Sequence, residues 1–284
     1  MKNVIGIGEL LWDLLPDGKK LGGAPCNFVY HAQKQGALGF VISAIGADQE
    51  GKEISEVLIN KNISLELIQI NDKPTSSVNV KLNSKGVPEY TIHENIAWDY
   101  IHFNYRIEQK VKEADVICFG SLAQRNKVSR QTIEKILNCC SPVALVVFDI
   151  NLRQDYYNRD VIEKSIQLCN VLKLNEDELP LVCKLLGIES SNEEDQIINL
   201  IKKYNLKLVA FTQGSKWSLL MTPNEKSFMQ TSKVKVKDTI GAGDSFTAAM
   251  VISYLNGESL KDVHKKAIEL SAFVCANNGA MPEY

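Results

Sequence analysis

Near the end of the chain, Asp238-Thr239-Ile240-Gly241-Ala242-Gly243-Asp244 sets two glycines and a carboxylate directly ahead of the run Ser245 to Leu255. That run is apolar almost all round, which predicts a buried helix. The first backbone N–H groups of a helix have no carbonyl partner, and the helix dipole is positive there. Without β-carbons at 241 and 243, an anion such as a phosphate can approach this backbone closely. Asp244 would then stand beside a bound anion, placed to take a proton from an attacking group. A glycine turn with a capping Asp fits the same residues, so the choice rests on the rest of the chain.

A second glycine-rich stretch, Leu21-Gly22-Gly23-Ala24-Pro25-Cys26-Asn27, reads as a tight turn into a helix, with Pro25 near its first position. Asn27 offers an amide from the first turn. An amide both donates and accepts, which suits a polyol hydroxyl. Further polar residues follow the predicted strands: Gly8-Glu9 and Asp13, Gly120-Ser121 with Gln124-Arg125, and Asp149-Ile150-Asn151-Leu152-Arg153. Asn175-Glu176-Asp177-Glu178 and Thr212-Gln213-Gly214 continue the series. Each alone fits a cap or a turn. Together they mark the place where open α/β sheets bind ligands, beyond the C-terminal ends of the strands.

The elements behind these residues alternate. Strands are predicted at Val4–Gly8, Phe40–Ile45, Val116–Gly120, Val143–Asp149, Val171–Leu174 and Leu208–Thr212. Several are apolar on both faces, as strands of a covered parallel sheet are. Helices are predicted between them, at Cys26–Gln35, Arg130–Cys140, Glu176–Leu186 and Gln196–Tyr204. This rhythm predicts an α/β fold with a doubly wound, mostly parallel sheet and helices on both faces. Thr75 to Asn83 breaks it by alternating apolar and polar residues, and Tyr90-Thr91-Ile92 reads as a returning strand after a turn at Ser84 to Pro88. The antiparallel excursion predicts a small β lid. No linker divides the chain, so residues 1–284 read as a single domain, with the lid formed by about 11–22 and 73–104.

Composition excludes other classes. The net charge is −2, which gives no electrostatic case for nucleic acid or an anionic membrane. The longest apolar run, Val143 to Phe148, is far too short to span a bilayer. Seven cysteines without a CxxC pair read as reduced core residues of a cytoplasmic protein. Gly46 to Glu53 imitates a P-loop but puts Glu53 where a hydroxyl should reach magnesium. Gly6-Ile7-Gly8-Glu9 is half a dinucleotide fingerprint with no third glycine. The four histidines show no metal-ligand spacing. Trp98, just beyond the hairpin, is either packing or a flat wall for a sugar ring.

With both glycine stretches in place, the chain resembles the ribokinase-like carbohydrate kinases, the phosphofructokinase-B type. Gly22-Gly23-Ala24-Pro25-Cys26-Asn27 is similar to that family's N-terminal signature, and Asp238 to Asp244 to its C-terminal one. The resemblance implies ATP-dependent phosphorylation of a sugar hydroxyl, with magnesium. It implies Asp244 as the base and the N–H groups of Gly241, Ala242 and Gly243 as an anion hole. It implies Asp13, Gly22, Gly23 and Asn27 around the sugar, with Trp98, Arg125 and Arg153 near it. Asn175 and Glu178 match the family's Asn-x-x-Glu motif, which organises magnesium and phosphate, through water in the magnesium shell. Thr212, Gly214 and Asn278 fall on the nucleotide side, and a monovalent cation, potassium, beside Asp238. Trp217 departs from the glycine usual at its place. Gly8 to Asp13, Ala97-Trp98-Asp99 and Gly120 to Arg125 look most like the fructokinase branch, so D-fructose is the expected acceptor. A sugar acid, ribose or a nucleoside is the alternative acceptor, and an inactive sugar-binding regulator the alternative from another class. The apolar face of the lid needs a cover, which predicts a homodimer through the lid.

Overall fold

Consecutive apolar residues in a strand point to opposite faces of a sheet, so a strand apolar throughout has to be covered on both. The computed structural model, which describes residues 1–15, 18–82, 88–190 and 192–284, arranges the chain in that way. The first half holds β1 (Asn3–Ile7), β2 (Leu11–Leu15), β3 (Gly18–Gly22), α1 (Ala24–Lys34), β4 (Leu38–Gly46) and α2 (Gln49–Asn60). It continues through β5 (Ile68–Asn71), β6 (Ser76–Leu82), β7 (Pro88–Ile92), α3 (Tyr105–Lys112), β8 (Val116–Phe119) and α4 (Lys127–Cys139). The second half holds β9 (Leu145–Asp149), α5 (Arg159–Leu168), β10 (Val171–Asn175), α6 (Glu178–Leu186) and α7 (Glu193–Tyr204). The chain then adds β11 (Leu208–Gln213), β12 (Trp217–Met221), β13 (Lys226–Gln230), α8 (Ala242–Leu255) and α9 (Leu260–Cys275).

The large sheet runs β13-β12-β11-β10-β9-β8-β1-β4-β5. All pairings from β5 to β11 are parallel, and β12 and β13 close one edge antiparallel. Val4 and Val41 pack with residues of α1, α2, α8 and α9, whereas Ile5 and Ile42 pack with α3 to α7. The six predicted strands and the four predicted helices are all present. Of the missed strands in this sheet, β5 is half-buried and β13 alternates exposed and half-buried residues at the sheet edge, whereas β12 is buried from Ser218 to Met221. The chain leaves β1 toward β5 and returns through β8, so the switch point lies between β1 and β8. A ligand crevice is expected there.

A second sheet runs β3-β2-β6-β7. The predicted hairpin is its β6–β7 pair, antiparallel in register Val78↔Ile92; most of the predicted turn at 84–88 lies outside the described residues. β2 joins β6 in parallel and β3 antiparallel. After Ile92 the chain turns inward: Ile96, Ala97, Trp98 and Ile101 are buried in the core beside α3 and α4.

That turn corrects two expectations. Trp98 is 0% exposed and forms no wall of a sugar site. Arg125 lies over its ring, 4.1 Å from the centroid, and over Tyr156 at 4.7 Å. The guanidinium donates from Nε to Asp99 Oδ1 at 2.8 Å and from Nη2 to Asp99 Oδ2 at 2.9 Å. It also donates to the His93 carbonyl, at the end of β7. A forked ion pair between two rings suits the planar geometry of arginine, so Arg125 joins the small sheet to the core instead of facing a substrate. Both side chains of the pair are buried, at 5% and 2% exposure. Asp99→Ala therefore leaves a buried cation unpaired and should destabilise the protein by about 3–5 kcal/mol in urea denaturation. A loss below about 1 kcal/mol is what a solvent-exposed pair would give.

Candidate active site

The helix predicted after the glycines begins at Ala242 and is buried from Ser245 to Ser253. Its N-cap, Gly241, has φ +77°, a left-handed conformation that favours glycine. Among the described residues no side chain caps this helix, and of its first-turn N–H groups that of Ala242 donates to the Thr239 carbonyl at 3.3 Å. Gly243 follows for a different reason. A β-carbon there would come within 3.0 Å of Lys173 Nζ.

Asp244, in the same first turn, accepts a hydrogen bond from Asn27 Nδ2 at 2.8 Å. Asn27 is 3% exposed, and its Oδ1 has no partner among the described residues. Burial, with the charge of Asp149 second, raises the Asp244 carboxyl to about 7; Asn27, Lys173 and Arg153 oppose the rise. Behind the turn, Lys173 Nζ and Asp149 Oδ1 form an ion pair of 3.0 Å, and Thr247 Oγ1 donates to Asp149 Oδ2 at 2.8 Å. Burial pulls the Lys173 ammonium toward neutrality, but Asp149, Glu178 and Asp244 outweigh it and raise its pKa.

Two cavities meet at this turn. One, of about 420 Å³, is lined by Glu9, Asp13, Gly23, Asn27 and Asp244, with Leu11, Val78, Ile92 and Leu122 as apolar walls. Burial and the charge of Asp238 raise Asp13 to about 6, against the pull of Arg153. The other, of about 780 Å³, is lined by Lys173, Asn175, Glu176, Thr212, Gly214 and Ala242, and further out by Val234, Val236, Ala272 and Cys275. Asn151, Arg153, Thr239 and Gly243 line both. Asn151 Nδ2 is buried without a partner among the described residues. A polar atom left unpaired at such a junction is suited to a ligand oxygen.

The expected residues thus divide. Asp244, Gly243, Asp13, Gly23, Asn27 and Arg153 come together around the smaller cavity, with Gly241 beside them. Ala242, Asn175, Thr212 and Gly214 line the larger one. Glu178 is 3% exposed and lines neither. Its carboxylate accepts from Leu152 N at 3.0 Å and Asn175 N at 2.9 Å, which pins the loops after β9 and β10 together. Gly22 leaves room for the Asp13 carboxylate, against which a β-carbon would collide. Asp238 staples its own loop, accepting from Ile240 N and Gly279 N, each at 3.0 Å. Asn278 lines a separate depression with Trp12, Lys19 and Lys61, not the larger cavity. Trp217 packs against Phe211 and Phe228 instead of shaping that cavity.

Glu9 and Lys173 are site residues to which no role had been given, and Asn151 stands on the segment Asp149 to Arg153 that the resemblance sets facing the reacting phosphate. Lys173 carried a readable signal: a lone lysine inside Val171-Leu172-Lys173-Leu174, a strand apolar on both faces, must be paired.

The sequence profile of the pfkB family carbohydrate kinases matches residues 17–283. The chain belongs to that family. An uncharacterized sugar kinase from Pyrococcus horikoshii is 28% identical over 98% of this chain and 91% of its own length. Its crystal structure superposes with a TM-score of 0.84 over 99% of this chain and 94% of that one. A fructokinase of Vibrio alginolyticus is 26% identical over 88% of this chain and 83% of its own. An ATP-dependent 6-phosphofructokinase of Thermoanaerobacterium thermosaccharolyticum is 24% identical over 98% and 89%.

The raised carboxyl of this carbohydrate kinase has a consequence independent of turnover. Between 3.8, its ordinary value, and about 7, Asp244 binds a proton more readily folded than unfolded. Its contribution to stability is therefore greatest at low pH and declines as pH rises through that window. Asp244→Asn keeps the bond to Asn27 and removes the titration. The variant's melting temperature, relative to wild type, should rise from pH 4 toward pH 7 and then level. A difference that stays flat would place the Asp244 pKa near the ordinary carboxylate range.

Proposed function

We propose that this protein transfers the γ-phosphoryl of ATP to a hydroxyl of a neutral sugar, with D-fructose as acceptor and Asp244 as general base. The observation that carries the reading is the junction of the two cavities. A helix N-terminus stands between them, with a carboxylate of raised pKa on the smaller side. In the larger cavity the apolar outer residues suit a base and the inner Lys173 and first-turn N–H groups suit phosphates. In the smaller one Asp13 and Asn27 suit hydroxyls, and the four apolar walls suit the C–H face of a sugar ring.

Charge favours a neutral acceptor. Glu9, Asp13 and Asp244 line the smaller cavity, and Arg153 is the one cation among its described lining residues. A phosphorylated sugar or a sugar acid would meet three carboxyls there. Glu9 is buried, and burial raises its carboxyl as well.

In the reaction, Asp244 takes the proton of the attacking hydroxyl, a role typically worth about 10²–10⁴-fold. The N–H groups at 241–243, Lys173 and Arg153 offset charge on the transferring phosphoryl. The small sheet acts as a lid that excludes water, which would compete as acceptor.

Magnesium enters with ATP. No group of three or more His, Cys, Asp or Glu among the described residues forms a cage for a metal. Magnesium keeps its waters and binds phosphates readily, so it fits Asn175 and Glu176 reached through water. Glu178 supports that turn from behind. The ion would neutralise charge on the phosphates. Potassium, if used, would rest on backbone carbonyls, since the Asp238 carboxylate is already engaged.

We also place the protein in the cytoplasm, on its seven free thiols, and as a homodimer joined through the open edges of the small sheet, β3 and β7. Sedimentation velocity at micromolar concentration should show the dimer; a monomer there removes that part of the proposal.

The acceptor is tested by kcat/KM for fructose, ribose, adenosine, a 2-keto-3-deoxy sugar acid and fructose 6-phosphate at saturating ATP. Fructose should lead, and Asp244→Asn should lose at least about 100-fold in kcat while keeping fructose affinity within a few-fold. Another acceptor ahead by ten-fold, about 1.4 kcal/mol of transition-state preference, overturns fructose. Wild-type turnover in the variant overturns the base.

A further inference from the structure

We propose that His31 is a positioning residue for the anion hole, acting through Ala280. The proposal rests on the reading of residues 241–243 as that hole. Asn27 and His31 are four residues apart on α1 and share one face of it. Asn27 holds Asp244, as described. His31, 0% exposed, lies with Nε2 at 2.8 Å from the Ala280 carbonyl and Nδ1 at 3.1 Å from the Tyr284 hydroxyl. A carbonyl only accepts, so Nε2 carries the proton. Burial lowers the imidazole to about 4, so the ring is neutral near pH 7 and Nδ1 accepts from Tyr284. The two rings stack, with centroids 5.9 Å apart.

Ala280 in turn shapes the glycine turn. A β-carbon on Gly241 would fall 2.6 Å from Ala280 Cβ, so the two backbones are in direct contact. The preceding residue, Gly279, donates to Asp238 Oδ2 at 3.0 Å. The hydrogen bonds from Tyr30 Oη to the Pro282 carbonyl, 2.7 Å, and from Lys61 Nζ to the Met281 carbonyl, 3.0 Å, hold the same segment down. Helix α1 therefore grips both ends of Gly241-Ala242-Gly243-Asp244: the carboxylate directly and the left-handed glycine through Ala280. Neither His31 nor Ala280 touches a substrate cavity. The contribution of His31 is to the placing of backbone N–H groups, where a displacement of about 1 Å can cost up to about 100-fold in rate.

Three substitutions separate positioning from mere packing. Glutamine keeps an N–H near the place of Nε2, asparagine keeps one near Nδ1, and phenylalanine keeps only the ring. We expect kcat to fall about ten-fold in His31→Phe and His31→Asn and to stay within about two-fold in His31→Gln, with KM for sugar and ATP within about three-fold throughout. In the protein without ligands, the amides of 240–246 should exchange with deuterium faster in His31→Phe and His31→Asn and near the wild-type rate in His31→Gln. Should His31→Phe not fold, the glutamine–asparagine pair decides. Equal kcat and equal amide exchange in these two variants overturn the proposal. A wild-type protein that phosphorylates no sugar overturns the kinase reading instead, and the exchange rates still decide the role of His31.

Discussion

Lys173 and Asp149 place opposite charges on neighbouring parallel strands, with helices packed on both faces of the sheet. Removing either partner would strand a buried charge, at a cost of about 3–5 kcal/mol. The surroundings follow from this constraint. Thr247 fastens α8, otherwise an apolar helix, to Asp149. Position 243 lacks a β-carbon where the ammonium lies beneath it. Glu178 and Asp244 add the negative charge that keeps the ammonium protonated. The sheet thereby presents one fixed cation under a helix start that is already positive. An anion arriving there meets charge that needs no rearrangement.

The smaller cavity carries the opposite sign. Burial raises Asp13 to about 6 and Asp244 to about 7, helped by the charges of Asp238 and Asp149 outside the cavity, so neither is fully ionised near neutral pH. A proton acceptor works best with a pKa near the working pH. With Asp244 proposed as the base, the burial that raises it also raises Glu9 and Asp13 in the same cavity.

The architecture was legible in the sequence because strands such as Val171 to Leu174 are apolar on both faces, a pattern that burial alone explains. β13 alternates and lies at an edge, where little burial writes itself into the residues. At the site, Gly241, Gly243 and Asp244 could be read because their spacing is set locally, within one turn of helix. Trp98 and Arg125 could not, since whether a side chain faces a cleft or the core depends on how the chain turns after Ile92. Glu178 shows the same limit. Its motif marks it as part of the site, but only the fold reveals that both its oxygens are taken by backbone amides. Long-range contacts such as His31 with Ala280 leave no trace in local spacing.

Arg153 lines both cavities and follows Asn151, whose φ of +47° puts a bend just ahead of it. Its side chain is exposed and donates from Nη1 to the Leu152 carbonyl at 2.9 Å. With the two cavities assigned as proposed, whichever substrate arrives first orders this arm, and the loss of side-chain entropy falls on that first ligand. The second finds the arm already in place. Shared ordering of this kind links two binding equilibria without any change of fold, and the linkage is reciprocal: each ligand strengthens the other by the same factor.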